Sequence, residues 1–196
     1  MNIEHQVYEP QKEALSIEQL DHLLFLALKS LKDKPVDQRS AVVAGVFDPS
    51  TGKFFIGYAT NTNTEAGYGK WNHAEFEAMN LAQNNGVDLS QTTIVTSLGP
   101  CIMNSVSRAH ISCTENIIDA GIKRVHIGVL DERQADVAFY EIVGLKTTVT
   151  SDPSLTKVCA GLNNYFNPER EARLLGLDKA TYLNEVMKDL PDERVN

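Results

Sequence analysis

The sequence predicts a three-layer αβα sandwich around a mixed five-stranded sheet, on three observations. A helical spacing of apolar residues opens the patterned part of the chain. Two short apolar runs flanking an Asp-Pro-Ser-Thr-Gly turn follow it, and from residue 92 onward strand-like and helix-like runs alternate. The hairpin supplies antiparallel neighbours, and the strand, helix, strand order supplies parallel ones.

Residues Met1 to Leu15 read as a polar lead-in. Ser16 is placed to cap a helix through Lys32, with apolar positions at Ile17, Leu20, Leu23, Leu24, Ala27, Leu28 and Leu31. Ser40 to Phe47 is small and β-branched, Asp48 to Gly52 has turn chemistry, and Lys53 to Ala59 resumes an apolar, aromatic run, which together make a hairpin. Thr60 to Trp71 is rich in Asn, Thr and Gly without periodicity and is expected as a loop leading into a helix from about Asn72 to Gln83. Thr92 to Leu98 is the next strand, followed by a helix through Ala120, a stop at Gly121 and a strand over Arg124 to Val129. Glu132 to Val143 is expected as a helix stopped by Gly144, Leu145 to Thr150 as a strand, and Pro153 to Phe166 as a helix. The charged tail is expected to be helical around Pro168 to Leu175 and Asp178 to Leu190, with packing or dimer contact as its role.

At 196 residues and 42% hydrophobic, the chain can bury one substantial core. One catalytic domain over residues 1–166, with its core at 40–166, and a helical extension over 167–196 are therefore expected. No window reaches the roughly 18 or more unbroken apolar residues of a membrane span, and the first fifteen residues are polar where a signal peptide is apolar. A cytoplasmic protein without a membrane partner is the expectation. The formal net charge of -8 disfavours generic binding to a phosphate backbone, which is driven by Lys and Arg displacing counterions. Three cysteines, Cys101, Cys113 and Cys159, are too few and too unevenly spaced for a disulfide framework, so metal binding or burial is expected of each.

His73-Ala74-Glu75 opens a helix, and Pro100-Cys101 directly follows a strand. Each is weak alone, since an HxE triplet is common by chance. Together with Cys113 they supply one imidazole, two thiolates and a spare carboxylate, which is the inventory of an open catalytic zinc site with a fourth position left for water. Helix N-termini favour thiolate over thiol, zinc lowers the pKa of its bound water toward about 7, and Glu75 is close enough to carry protons.

These segments, His-Ala-Glu, then Thr-Ser-Leu-Gly-Pro-Cys, then Cys113-Thr-Glu-Asn-Ile-Ile-Asp-Ala-Gly-Ile-Lys-Arg-Val, resemble the signature of the cytidine-deaminase-like zinc deaminases. The family pattern sets two residues between its cysteines. Here eleven, Ile102 to Ser112, separate Cys101 from Cys113. A lengthened interval containing His and Arg is similar to the pyrimidine deaminase domain of riboflavin biosynthesis, and Arg108 and His110 stand in it here. The likeness runs from about Ser40 to Phe166 and includes Val143-Gly144-Leu145 and Leu162-Asn163-Asn164-Tyr165-Phe166. Two features depart from that subgroup: Gly99 stands where Glu usually precedes Pro-Cys, and Arg39 to Gly45 replaces an Asn-Pro-x-Val-Gly segment. A relative acting on a different amino-bearing ring is favoured over strict equivalence.

The resemblance implies Zn2+ held by His73, Cys101 and Cys113 between two helix N-termini and a turn, Glu75 as the proton carrier, and hydrolytic deamination of a small amino-substituted heterocycle by a homo-oligomer such as a dimer. It leaves open two other readings, a nucleic-acid-editing deaminase and a catalytically silent zinc-binding subunit. Asn61 and Asn63 stand where many of these enzymes keep a substrate-binding Asn, or else form a polar turn. Trp71 and Tyr68 either wall the pocket with aromatic faces or simply pack. Arg108 and His110 either hold a phosphate or lie on a solvated loop. Cys159 falls in helical register with Leu155 and Leu162 and is read as a buried small hydrophobe. His5, His22 and His126 have no partner motif, and His126 is assigned to the exposed or crevice side of its strand.

Overall fold

A computed structural model describes residues 15–62, 70–102, 112–131, 137–164 and 168–194. Helix α1, Ile17–Lys32, begins at a capping box. The Ser16 hydroxyl accepts the Gln19 amide while the Gln19 side chain accepts the Ser16 amide. Leu20, Leu23, Leu24, Ala27, Leu28 and Leu31 of the expected stripe are buried, whereas Ile17, in the first turn, is exposed and Phe25 joins the buried face instead.

Strands β1 (Val43–Asp48) and β2 (Lys53–Tyr58) form the expected hairpin, with Asp48 bonding the turn residues Ser50 and Thr51. The described ends of the 60–71 stretch depart from the expected loop. Thr60–Thr62 and Lys70–Asn72 are short strands, β3 and β4, paired antiparallel as a separate ribbon with Asn61 opposite Trp71. Helix α2 (Ala74–Asn84), β5 (Thr93–Leu98), α3 (Cys113–Asp119), β6 (Arg124–Val129), α4 (Val137–Ile142) and β7 (Lys146–Val149) continue the chain. Gly121 and Gly144 follow α3 and α4 at positive φ, as the stop positions require. Helix α5, Pro153–Leu162, ends before the predicted Phe166. There the Asn163 amide donates to the carbonyls of Cys159 and Ser97, tying the helix end to β5. Helices α6 (Pro168–Leu174) and α7 (Lys179–Met187) complete the tail.

The main sheet runs β2-β1-β5-β6-β7. β1 is antiparallel to both neighbours, and β5, β6 and β7 are mutually parallel. Both faces are covered, which is why β1 and β5 are buried at every position instead of alternating. One core joins Val46, Ile94, Val125 and Ile127 of the sheet to α2, α3 and α4. The other side packs α1, α5, α6 and α7 together, with Ala172, Leu183, Met187 and Leu190 of the tail inside that cluster.

His126 corrects the sequence reading. It is fully buried on the α1 side of β6, where Nε2 lies 2.9 Å from the Asp21 carboxylate and Nδ1 2.9 Å from the Thr148 hydroxyl. Arg194 reaches the same Asp21 from the end of the chain at 3.3 Å. Cys159 is buried as expected.

Two contacts set α2 on the sheet. Gly57 lets the helix backbone come so close that a Cβ there would sit 2.3 Å from the Ala74 carbonyl oxygen and 2.4 Å from the Ala78 nitrogen. Beside it, Glu77 accepts the Tyr58 amide at 2.6 Å. The N-terminus of α2 is thereby fixed against the sheet.

Candidate metal centre and active site

His73 is the N-cap of α2. Its backbone is extended and its side chain makes no capping bond, so the imidazole is free to turn toward β5 and α3. Cys101 follows β5 on the turn after Pro100, and Cys113 opens α3 behind the Ser112 N-cap, which forms a capping box with Glu115. The donor atoms of His73, Cys101 and Cys113 all lie within 4.8 Å of one another. His73 Nδ1 is 3.1 Å from Cys113 Sγ and 3.7 Å from Cys101 Sγ. A tetrahedral zinc with ordinary Zn–S and Zn–N lengths sets its sulfur and nitrogen donors about 3.5 Å apart, a spacing these two distances bracket. The donor set and its spacing fit zinc.

The turn carrying Cys101 is held from several sides. The Cys113 amide donates to Cys101 Sγ at 3.3 Å, and the Thr114 amide donates to the Cys101 carbonyl at 3.1 Å. The Thr114 hydroxyl donates to the same carbonyl at 3.0 Å, and the Tyr140 hydroxyl donates to the Pro100 carbonyl at 2.7 Å. Sequence reasoning did not single out Thr114 or Tyr140. Thr114, adjacent to Cys113, was within reach of it, but Tyr140 is brought in by a helix forty residues from Pro100 and leaves no local signal.

The protonation pattern follows from this crowding. Cys101 is pulled below the ordinary thiol range, first by the bond from the Cys113 thiol and then, against the cost of burial, by His73. Cys113 is pushed up, since it is the donor of that pair and is buried. His73 is raised by its bond to Cys101, with burial opposing. Glu75 is 3% exposed. Burial lifts its carboxyl above the ordinary carboxylate range, and the His73 charge draws it back only in part. A carboxyl so placed beside the His73, Cys101 and Cys113 side chains is suited both to accept and to return a proton.

Asn61 and Trp71 are cross-strand partners in the β3–β4 ribbon, which joins β2 to the His73 turn. Asn63, Tyr68, Arg108 and His110 lie outside the described residues.

The model of the cytidine and deoxycytidylate deaminase zinc-binding region matches residues 17–129, more than half of the chain. The chain belongs to this zinc-binding deaminase family. His73, Glu75, Cys101 and Cys113 all fall within the matched span.

Among solved structures, the deaminase fold is shared with a diaminohydroxyphosphoribosylaminopyrimidine deaminase/5-amino-6-(5-phosphoribosylamino)uracil reductase from Thermotoga maritima, at TM-score 0.54 and 23% identity, over 78% of this chain and 42% of that one. It is also shared with Acinetobacter baumannii RibD, at TM-score 0.54 and 18% identity, over 79% of this chain and 40% of that one. A third is the dCMP deaminase of the cyanophage S-TIM5, at TM-score 0.50 and 14% identity, over 69% of this chain and all of that one. The chain thus matches about two fifths of the length of the first two. No match was found among curated proteins.

Proposed function

We propose that the protein is a zinc-dependent hydrolytic deaminase that releases ammonia from a small amino-substituted heterocycle: a nucleobase, nucleoside, nucleotide or riboflavin-pathway-like pyrimidine. The observation that carries this reading is the convergence of His73, Cys101 and Cys113 within 4.8 Å, with Glu75 buried beside them. His73, Cys101 and Cys113 would hold the ion, and a zinc ion held there would make water nucleophilic at neutral pH by lowering its pKa toward about 7.

Glu75 is assigned the proton traffic. Its carboxylate takes a proton from the attacking water and returns it to the ring nitrogen as the carbon becomes tetrahedral. It then takes the proton of the new hydroxyl and delivers it to the departing amine. One water is consumed and one ammonia leaves, with the ring carbon ending as a carbonyl. A carboxyl raised by burial suits both halves of that exchange.

The substrate is read as a free small molecule because the net charge of -8 opposes a phosphate backbone. The retained, buried Glu75 favours an enzyme over a silent zinc-binding subunit. A homo-oligomer working in the cytoplasm is the setting this reading assigns, consistent with the absence of any helix, among the described residues, long and apolar enough to cross a membrane.

The test is ammonia release by zinc-loaded protein across free bases, nucleosides, nucleotides, pterins and the riboflavin-pathway pyrimidine, with a Glu75→Ala variant as control. Release from one class by the wild type and none by the variant supports the reading. Equal release by both, or none from any class, overturns it.

A further inference from the structure

Gly99 and Tyr140 fit one another. Gly99 follows β5, and its amide donates to the Val129 carbonyl at 2.9 Å, extending the pairing with β6 toward the site. A Cβ at position 99 would stand 3.0 Å from the Tyr140 hydroxyl, tighter than ordinary contact, with Asp131 N and Leu130 Cα at 3.6 and 3.7 Å behind it. The Tyr140 side chain, from α4, is fully buried, so its hydroxyl has no water to turn to, and it donates to the Pro100 carbonyl at 2.7 Å. That carbonyl belongs to the peptide whose nitrogen is Cys101's own. The hydroxyl therefore helps fix, from α4, the peptide plane from which the Cys101 side chain departs; the Thr114 hydroxyl of α3 reaches the same Pro100 carbonyl at the longer distance of 3.3 Å.

We propose that Tyr140 is a positioning residue for Cys101, and that Gly99 is the small residue that admits its hydroxyl. The proposal rests on Cys101 being a metal ligand. Partners that orient a ligand commonly change metal affinity by about ten- to a hundred-fold when removed, and one acting through the backbone belongs at the low end of that range. Tyr140→Phe keeps the ring and its packing while deleting the donor. Gly99→Ala keeps the donor while crowding it. Since both act on one contact, their effects should not add.

The experiment loads wild type, Tyr140→Phe, Gly99→Ala and the double variant with zinc and measures affinity by competition with a chromophoric chelator. Each protein is also loaded with cobalt, to record the thiolate-to-metal and d–d absorption bands, and melted to check the fold. The proposal expects each single variant to bind zinc about ten-fold more weakly and to shift the cobalt bands, and the double variant to bind no more weakly than the weaker of the two single variants. Unchanged affinity and bands in Tyr140→Phe, or fully additive losses in the double variant, overturn it. A Tyr140→Phe protein that does not fold leaves Gly99→Ala to decide, by the same two readouts. A wild type that binds no zinc overturns the metal-site reading itself, whereas a wild type that binds zinc as tightly as its variants overturns only the role given to Tyr140.

Discussion

The Glu77 carboxylate accepts the backbone amide of Tyr58 at 2.6 Å, joining the last residue of β2 to the first turn of α2. His73 and Glu75 precede it on the same turn, so the orientation of both depends on how α2 sits on the sheet.

Loosening that seat is expected to cost stability and metal binding together. Glu77→Ala should lower stability by about 1.5–3 kcal/mol, the worth of a hydrogen bond to a charged group, while Glu77→Gln, which keeps an acceptor, should lose less. Gly57→Ala should be at least as damaging, because its new Cβ meets backbone atoms of α2 that have no rotamer to escape into. Denaturant melts with zinc titrations read both effects.

Replacing Glu75 separates chemistry from binding. Glu75→Gln is expected to reduce turnover by about 10²–10⁴-fold, the usual worth of a proton carrier, while zinc content stays that of the wild type. A variant that lost zinc along with activity would show Glu75 acting on the ligand cluster instead.

Acid should weaken the fold through His126. Burial, the first cause, and the Arg194 charge hold its pKa below 6.5, with Asp21 pulling the other way. The folded protein therefore prefers the neutral ring, and the unfolded chain binds the extra proton. This stabilisation is complete above pH 6.5 and is lost as the pH falls from 6.5 through the lower folded value. The Tm is expected to drop as the pH falls below about 6.5, and His126→Asn to flatten that drop. An identical pH profile in the variant would remove His126 as the cause.

The tail is expected to behave as core. Leu183 and Met187 of α7 are each 1% exposed, in one cluster with Leu28 of α1 and Leu162 of α5. Leu183→Ala should cost about 2–5 kcal/mol, the range for a buried leucine, in a denaturant melt.

What the sequence made legible follows the strength of its local signals. Strands such as Thr93–Leu98 and Arg124–Val129 and the capped helix after Ser16 carry period and cap chemistry within a few residues, and they stand close to where they were read. The three-residue strands of the β3–β4 ribbon are too short to show alternation, so the sequence predicts only a loop there. His126 was placed on an open face because alternation with Val125 and Ile127 marks the other face without telling whether it is covered. Its partner Asp21 lies 105 residues away, on a helix that nothing local connects to β6. The site divides the same way. His73, Glu75, Cys101 and Cys113 sit in recognisable segments, whereas Tyr140 joins them only through the fold.

The central claim is that one imidazole and two thiolates share a single zinc ion, and X-ray absorption at the zinc edge tests it most directly. Protein purified without added metal should carry close to one zinc per chain, with two sulfur scatterers at about 2.3 Å and nitrogen or oxygen scatterers at about 2.0–2.1 Å. The sulfur count should fall to one in Cys113→Ser. Absence of zinc, or a shell without sulfur, would contradict the account.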